Sequence, residues 1–162
     1  MTAAWRLAAA LAGLLQAATA QALQGTVTRV SDGDTLWVRP AGGGKPQKVR
    51  LQGLDAPESC QPWGAQATQA LKGQVLNRTV RLEEGPRDAH GRRLGRLMQG
   101  ELDVGAWMVS QGHAWSYRWR WHPGPYAAEE QQARAARRGL FGQPGAQQPR
   151  EFRRRHGPCP AP

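Results

Sequence analysis

The chain has 162 residues, enough for one domain with a real core, and after residue 20 it holds no segment apolar enough to span a bilayer. Its 22 Lys and Arg outweigh 12 Asp and Glu, for a formal charge of +10. That excess favours polyanions or anionic membrane surfaces as partners and is silent on fold.

Residues 1–20 carry one positive charge, Arg6, followed by an apolar run from Leu7 to Leu15 and a small-x-small close at Ala18-Thr19-Ala20. This is the three-part pattern of a secretory signal peptide. It predicts a mature protein that is secreted or periplasmic, with no stable membrane insertion after cleavage. An uncleaved anchor or a buried Ala-rich helix is the alternative.

From Gln24 to Leu54 the pattern is that of strands. "GTVTRV" is β-branched, "TLWVRP" sets Leu36 and Val38 against Trp37 and Arg39, and "KVRLQGL" places Val49 and Leu51 on one face. A three-strand meander follows, with "AGGGKPQ" as a turn. Helical spacing of Ala67, Ala70, Leu71 and Val75 predicts a helix over Ala65 to Leu76. "TVRLEE" and "RLGRLMQG" are two further strands, joined by the Gly- and Pro-marked loop "GPRDAHGR". Asp103 caps a short helix bearing Val104, Trp107 and Met108. A last helix is predicted from Tyr126 to Arg138, stopped by Gly139. From Gly142 the chain is Gly, Pro, Gln and Arg and is expected to be extended. The sum is an α+β domain over residues 21–142, a five-stranded OB-fold β-barrel with three α-helices, and a basic Pro-rich tail over 143–162.

Cys60 and Cys159 are the two cysteines. In an exported chain an even count points to a disulfide, which would tie down the tail; two free thiols are the other reading.

Four of the 12 acids fall between Asp32 and Glu58, inside a basic chain. "SDGDT" starts like an EF-hand loop but fails at the sixth and twelfth positions, Trp37 and Gly43, and an Asp-Gly pair is also ordinary turn chemistry. The strands around it change the weighting. The second strand starts just after Asp34, and the third carries Arg50 and ends at Asp55. A tight meander brings these ends to one sheet edge, where two carboxylates repel unless a cation lies between them. Oxygen donors without His or Cys select a hard ion such as Ca²⁺ or Mg²⁺. Pro57 stiffens the following loop, Glu58 is placed to reach a metal-bound water, and Arg50 supplies a phosphate-matching fork.

In this order, "VSDGDTLWV", "VRLQGLDAPE", "DAHGRRLG", "VSQGHAWSY" and "ARRGLF" resemble the thermonuclease, or staphylococcal nuclease-like, family over Gly25 to Phe141. The resemblance implies an OB barrel with three helices and a calcium-dependent phosphodiesterase acting on DNA and RNA, preferably single-stranded. It implies little sequence specificity, 3′-phosphate products and a monomer. The implied Ca²⁺ ligands are Asp34, Asp55 and the backbone carbonyl of Ala56, with Asp32 supporting them. Glu58 is the implied general base, and Arg50 and Arg92 the phosphate-binding arginines. Where the family often has Tyr in D-x-Y-G-R this chain has His90, preceded by Ala89, and Asp103 stands where Asn is common. These departures bear on base preference and affinity.

In "AWSYRWRW", an extended course puts Trp115, Tyr117, Trp119 and Trp121 opposite Ser116, Arg118 and Arg120. Trp115 is expected in the core. His90, Tyr117 and Trp119 are substrate-binding candidates, the aromatics by base stacking. A non-catalytic OB-type nucleic-acid binder and a basic envelope-surface protein are the rival readings; neither needs a carboxylate cluster inside a basic groove.

Overall fold

The computed structural model describes residues 22–160. The expected leader lies outside the described residues. Strands β1 (Leu23–Val30), β2 (Thr35–Pro40) and β3 (Gln47–Leu51) form the expected antiparallel meander. They are followed by β4 (Leu54–Asp55), α1 (Gly64–Val75), β5 (Thr79–Arg87), β6 (Arg93–Gln99), β7 (Leu102–Asp103), α2 (Val104–Ser110) and β8 (Trp115–Ser116). Then come α3 (Ala127–Ala135), a 3₁₀ turn (Gly139–Gly142) and α4 (Pro149–His156).

The sheet runs β3-β2-β1-β5-β6, and β6 returns to β3, so the five strands close into a mixed barrel of the OB type. The closing pair is parallel, with Val49 opposite Arg93, Arg50 opposite Leu94 and Leu51 opposite Gly95. Every other pairing is antiparallel. Closure removes the edge strands of the meander. The period-2 pattern then fills the interior with Val27, Leu36, Val38, Val49, Leu51, Val80, Leu82 and Leu97. Helix α1 plugs one end with Ala67, Leu71 and Val75, a stripe at three- and four-residue spacing, and α2 adds Val104, Met108 and Val109. Each Leu or Val buried this way contributes on the order of 1.5–3 kcal/mol. As expected, Asp103 caps α2, its side chain accepting from the backbone N–H groups of Gly105 and Ala106.

Three expectations are corrected. The helices number four among the described residues, because the segment read as an extended tail contains α4. Pro149 occupies its first turn with Glu151, and Arg153 to His156 lie in its last turn, an order that suits the helix dipole. Its C-terminal side is fixed by a Cys60–Cys159 disulfide. The helix predicted to Arg138 stops at Ala135, since Arg137 takes a left-handed conformation (φ 51°) and a 3₁₀ turn follows. "AWSYRWRW" is not extended throughout. Only Trp115 and Ser116 are strand; Arg120 (φ 52°) reverses the chain and brings Trp119 onto His122. Among the described residues no helix is long and apolar enough to cross a membrane.

Candidate active site

The register of β2 on β3 pairs Thr35 with Arg50, which seats Asp34 beside the Arg50 side chain. Arg50 Nη1 donates to Asp34 Oδ1 at 2.9 Å and Nη2 to Asp55 Oδ1 at 2.8 Å, so one guanidinium bridges the two carboxylates. Asp34 also accepts from Thr35 Oγ1 (2.9 Å) and from the Ala56 backbone N–H (3.2 Å). Asp32 stands behind it, its Oδ1 accepting from the Asp34 N–H at 3.0 Å. The turn can lie this low only because residue 33 is glycine. A Cβ there would sit 2.7 Å from Ala56 Cβ and 2.9 Å from Ala67 Cβ.

Asp55 is delivered by β4, which leaves the barrel after Gly53 (φ +84°) and pairs with β8, Asp55 opposite Trp115. Strand β8 is itself held by Glu130 of α3. This buried carboxylate accepts from the Ser116 N–H (2.9 Å), Arg118 (2.9 Å) and Arg134 (2.8 Å).

Both site aspartates are buried, and burial pushes each carboxyl up to about 6. Asp34 is held back mainly by Arg50 and raised further by Asp32, while Asp55 is raised by Asp34 and held back by Arg50 and Arg153. The pair is therefore short of positive charge even with Arg50 between its members. That fits a hard cation bound by Asp34, Asp55 and a backbone carbonyl such as that of Ala56, with waters completing its shell. Among the described residues no group of three or more His, Cys, Asp or Glu side chains forms a fuller metal cluster.

Glu58 lies in the loop between β4 and α1. Its backbone N–H donates to Gln61 Oε1 at 3.1 Å, and the start of α1 presses on its carbonyl so closely that a Cβ at Gly64 would meet that oxygen at 2.0 Å. The Glu58 carboxylate accepts a hydrogen bond from Arg153 Nη1 of α4.

The "DAHGR" loop is organised by Asp88, whose Oδ1 accepts from the backbone N–H groups of His90 and Arg92, each at 2.9 Å. Arg92 Nε donates to Asp88 Oδ2 at 2.6 Å, fixing the arginine. Desolvation acts to raise the Asp88 carboxyl, and these hydrogen bonds outweigh it and leave the group below the usual carboxylate range.

All the sequence-predicted site residues other than the two cysteines line one open cleft of about 1240 Å³. It holds Asp32, Asp34, Arg50, Asp55, Ala56, Glu58, His90, Arg92, Tyr117 and Trp119. This exceeds the ~300–1,000 Å³ of small-molecule pockets. Trp115 is in the core as expected, while Tyr117 and Trp119 are 45% and 61% exposed at the rim. Asp103, at the position where Asn is common, accepts from Arg96 Nε (2.6 Å) and from the Tyr126 hydroxyl (3.3 Å) as well as capping α2. Its charge therefore serves the junction of β6, α2 and α3. Sequence reasoning missed Gln61, Asp88 and Glu130; it read Arg153 with Arg154 and Arg155 as a basic tail adding sequence-blind affinity, and missed its place beside Glu58. Asp88 alone had a local signal, a turn-forming residue ahead of Gly91.

The family described as staphylococcal nuclease homologue matches residues 48–143, which include Arg50, Asp55, Glu58 and Arg92, while Asp34 precedes the matched segment. Protein ParB of Escherichia coli is 42% identical over 165 residues, covering 92% of this chain and 90% of its own length. A micrococcal nuclease of Shigella flexneri is 36% identical over 142 residues (81% and 80%). An uncharacterized endonuclease of Haemophilus influenzae is 34% identical over 128 residues (79% and 71%). With its closed mixed barrel and these matches, the chain belongs to the staphylococcal nuclease homologue family and is a nuclease by that membership.

Proposed function

We propose that the protein is an exported, calcium-dependent nuclease that hydrolyses phosphodiester bonds of DNA and RNA, single-stranded regions above all, with little sequence preference, and acts as a monomer. The observation that carries this reading is the convergence of an acid pair, two arginines and a separate carboxylate in one cleft of a basic protein. Asp34, Asp55 and the Ala56 carbonyl would hold the calcium ion, which would supply Lewis-acid stabilisation to the phosphoryl oxygens. Arg50 and Arg92 donate to those oxygens as negative charge builds on them. Glu58 takes the proton from the attacking water, water oxygen bonds to phosphorus, and the bond to the 5′ oxygen breaks; that oxygen takes up a proton from solvent, leaving a 3′-phosphate and a 5′-hydroxyl. The disulfide supports an oxidising compartment and hence export. His90 gives the rim a smaller, more polar contact than Tyr would, and Tyr117 and Trp119 offer stacking faces.

The test is hydrolysis of single-stranded DNA and RNA with calcium and with excess chelator. Chelation is expected to abolish cleavage. Glu58→Gln and Arg92→Ala are each expected to lower kcat by about 10²–10⁴ with unchanged circular dichroism. Binding without cleavage by the wild-type protein in calcium would favour the non-catalytic module.

A further inference from the structure

Helix α4 puts a further arginine into the cleft, which Arg29, Arg50, Arg92 and Arg96 also line. Arg153 is separated from Glu58 by 95 residues, yet its Nη1 donates to the Glu58 carboxylate, and its Nη2 lies 4.0 Å from Asp55 Oδ2. We propose that Arg153 is a third substrate-phosphate contact, on the Glu58 side of the cleft, and that the Cys60–Cys159 disulfide is the device that delivers it. This rests on the nuclease reading above and extends its substrate site.

Three observations carry the assignment. First, donor supply. Arg50 commits both terminal nitrogens to Asp34 and Asp55, and Arg92 commits Nε to Asp88. Their side chains are 21% and 23% exposed, whereas that of Arg153 is 42% exposed and lines the same cleft. A guanidinium has five N–H donors in a planar fork, so one hydrogen bond to Glu58 and a longer ion-pair contact to Asp55 leave others to face a phosphate.

Second, charge. Asp32, Asp34, Asp55 and Glu58 all line the cleft and repel an incoming phosphodiester. Arg50 offsets the aspartate pair, and Arg153 is the ion-pair partner found for Glu58. Arg150, Arg154 and Arg155, exposed on the same helix, add sequence-blind positive charge beside Arg153.

Third, the tether. An isolated helix of eight residues is marginal, and consecutive arginines in its last turn repel one another. What anchors α4 is chain-distant: the disulfide, the donation of Gln61 Nε2 to the Gln147 carbonyl (2.5 Å), and buried Pro149. Cys60 and Gln61 sit in the loop that carries Glu58, so one short segment positions both the carboxylate and the helix that faces it.

The test is fluorescence anisotropy of a fluorescein-labelled single-stranded DNA 12-mer with the full-length protein in EDTA, over a range of NaCl. Arg153→Ala is expected to weaken binding about tenfold and to reduce the slope of log K against log salt by about 0.7, one single-strand phosphate contact. Arg153→Lys should recover part of the affinity, and Arg155→Ala, off the cleft, should cost less than Arg153→Ala. The Cys60→Ser/Cys159→Ser double variant should show the same loss as Arg153→Ala. Adding Arg153→Ala to it should change binding by less than about twofold, a non-additivity that a purely structural disulfide would not give. Unchanged affinity and slope in Arg153→Ala would overturn the proposal. So would a higher turnover of that variant on single-stranded DNA with calcium, since Arg153 would then be restraining Glu58. If the wild-type protein fails to cleave but these binding differences hold, the hydrolase reading fails and the phosphate contact stands.

Discussion

Asp34 and Asp55 illustrate how a site stores a demand for positive charge. Their carboxyls lie at about 6 in the fold, above the 3.8 of an ordinary aspartate, so the folded protein binds their protons more tightly than the unfolded chain does. Their contribution to stability is therefore fully present below about pH 4 and is lost as pH rises through 6. Replacing Asp55 with Asn removes that penalty at one position. In calcium-free buffer, the stability of Asp55→Asn relative to wild type is expected to rise by roughly 1–3 kcal/mol between pH 4 and pH 7. Denaturant titrations at several pH values check this, and a constant difference would refute it. Asp34 and Arg50 were legible in the sequence because a short meander carries both and strand register brings them together, whereas Asp55, expected at the end of the third strand, lies on β4 and is placed by the pairing of β4 with β8. The place of Arg153 was not legible, since nothing near position 153 in sequence announces a contact with position 58. Glu130 was hidden for a related reason: a carboxylate in a helix reads as solvated surface until the strand it supports is seen.

At the level of elements, the barrel strands followed from period-2 patterning, because one face of each is packed and the other is not. The stretch after Trp115 has the same alternation with no strand beyond Ser116, since the left-handed turn at Arg120 overrides the pattern. Helix α4 escaped notice because its composition is that of a tail and its anchors are far away in sequence. The contact of the β1–β2 turn with α1 is a close element-level constraint on the site. Gly33→Ala forces a Cβ against two other Cβ atoms, neither of which can rotate away. Thermal or denaturant unfolding is expected to show a loss of about 1–3 kcal/mol. Hydrolysis should fall as well, because the displaced turn carries Asp34. Full activity in a stably folded Gly33→Ala protein would show that the aspartate tolerates movement.

For the whole molecule, the disulfide closes a loop between residues separated by 99 positions, which takes in every element from α1 to α4 and leaves β1 to β4 outside it. Restricting the unfolded chain in this way stabilises the fold by about 4–5 kcal/mol in the entropy model. Reduction, or the Cys60→Ser/Cys159→Ser pair, is expected to lower the unfolding free energy by up to that amount, read from urea titrations with and without reductant. A difference below about 1 kcal/mol would assign the bond to positioning α4 rather than to stability. The parallel closure of β6 onto β3 has a further consequence. Arg50 cannot take its place in a finished barrel wall until a strand some forty positions later has arrived, and Arg92 comes on the loop leading into that strand. Glu58 waits longer still for the helix before Cys159. The reagents are thus encoded early and assembled late: a chain still emerging from the ribosome holds the acids and the first arginine but no cleft around them. The cleft is complete only once α4 is in place beside Glu58.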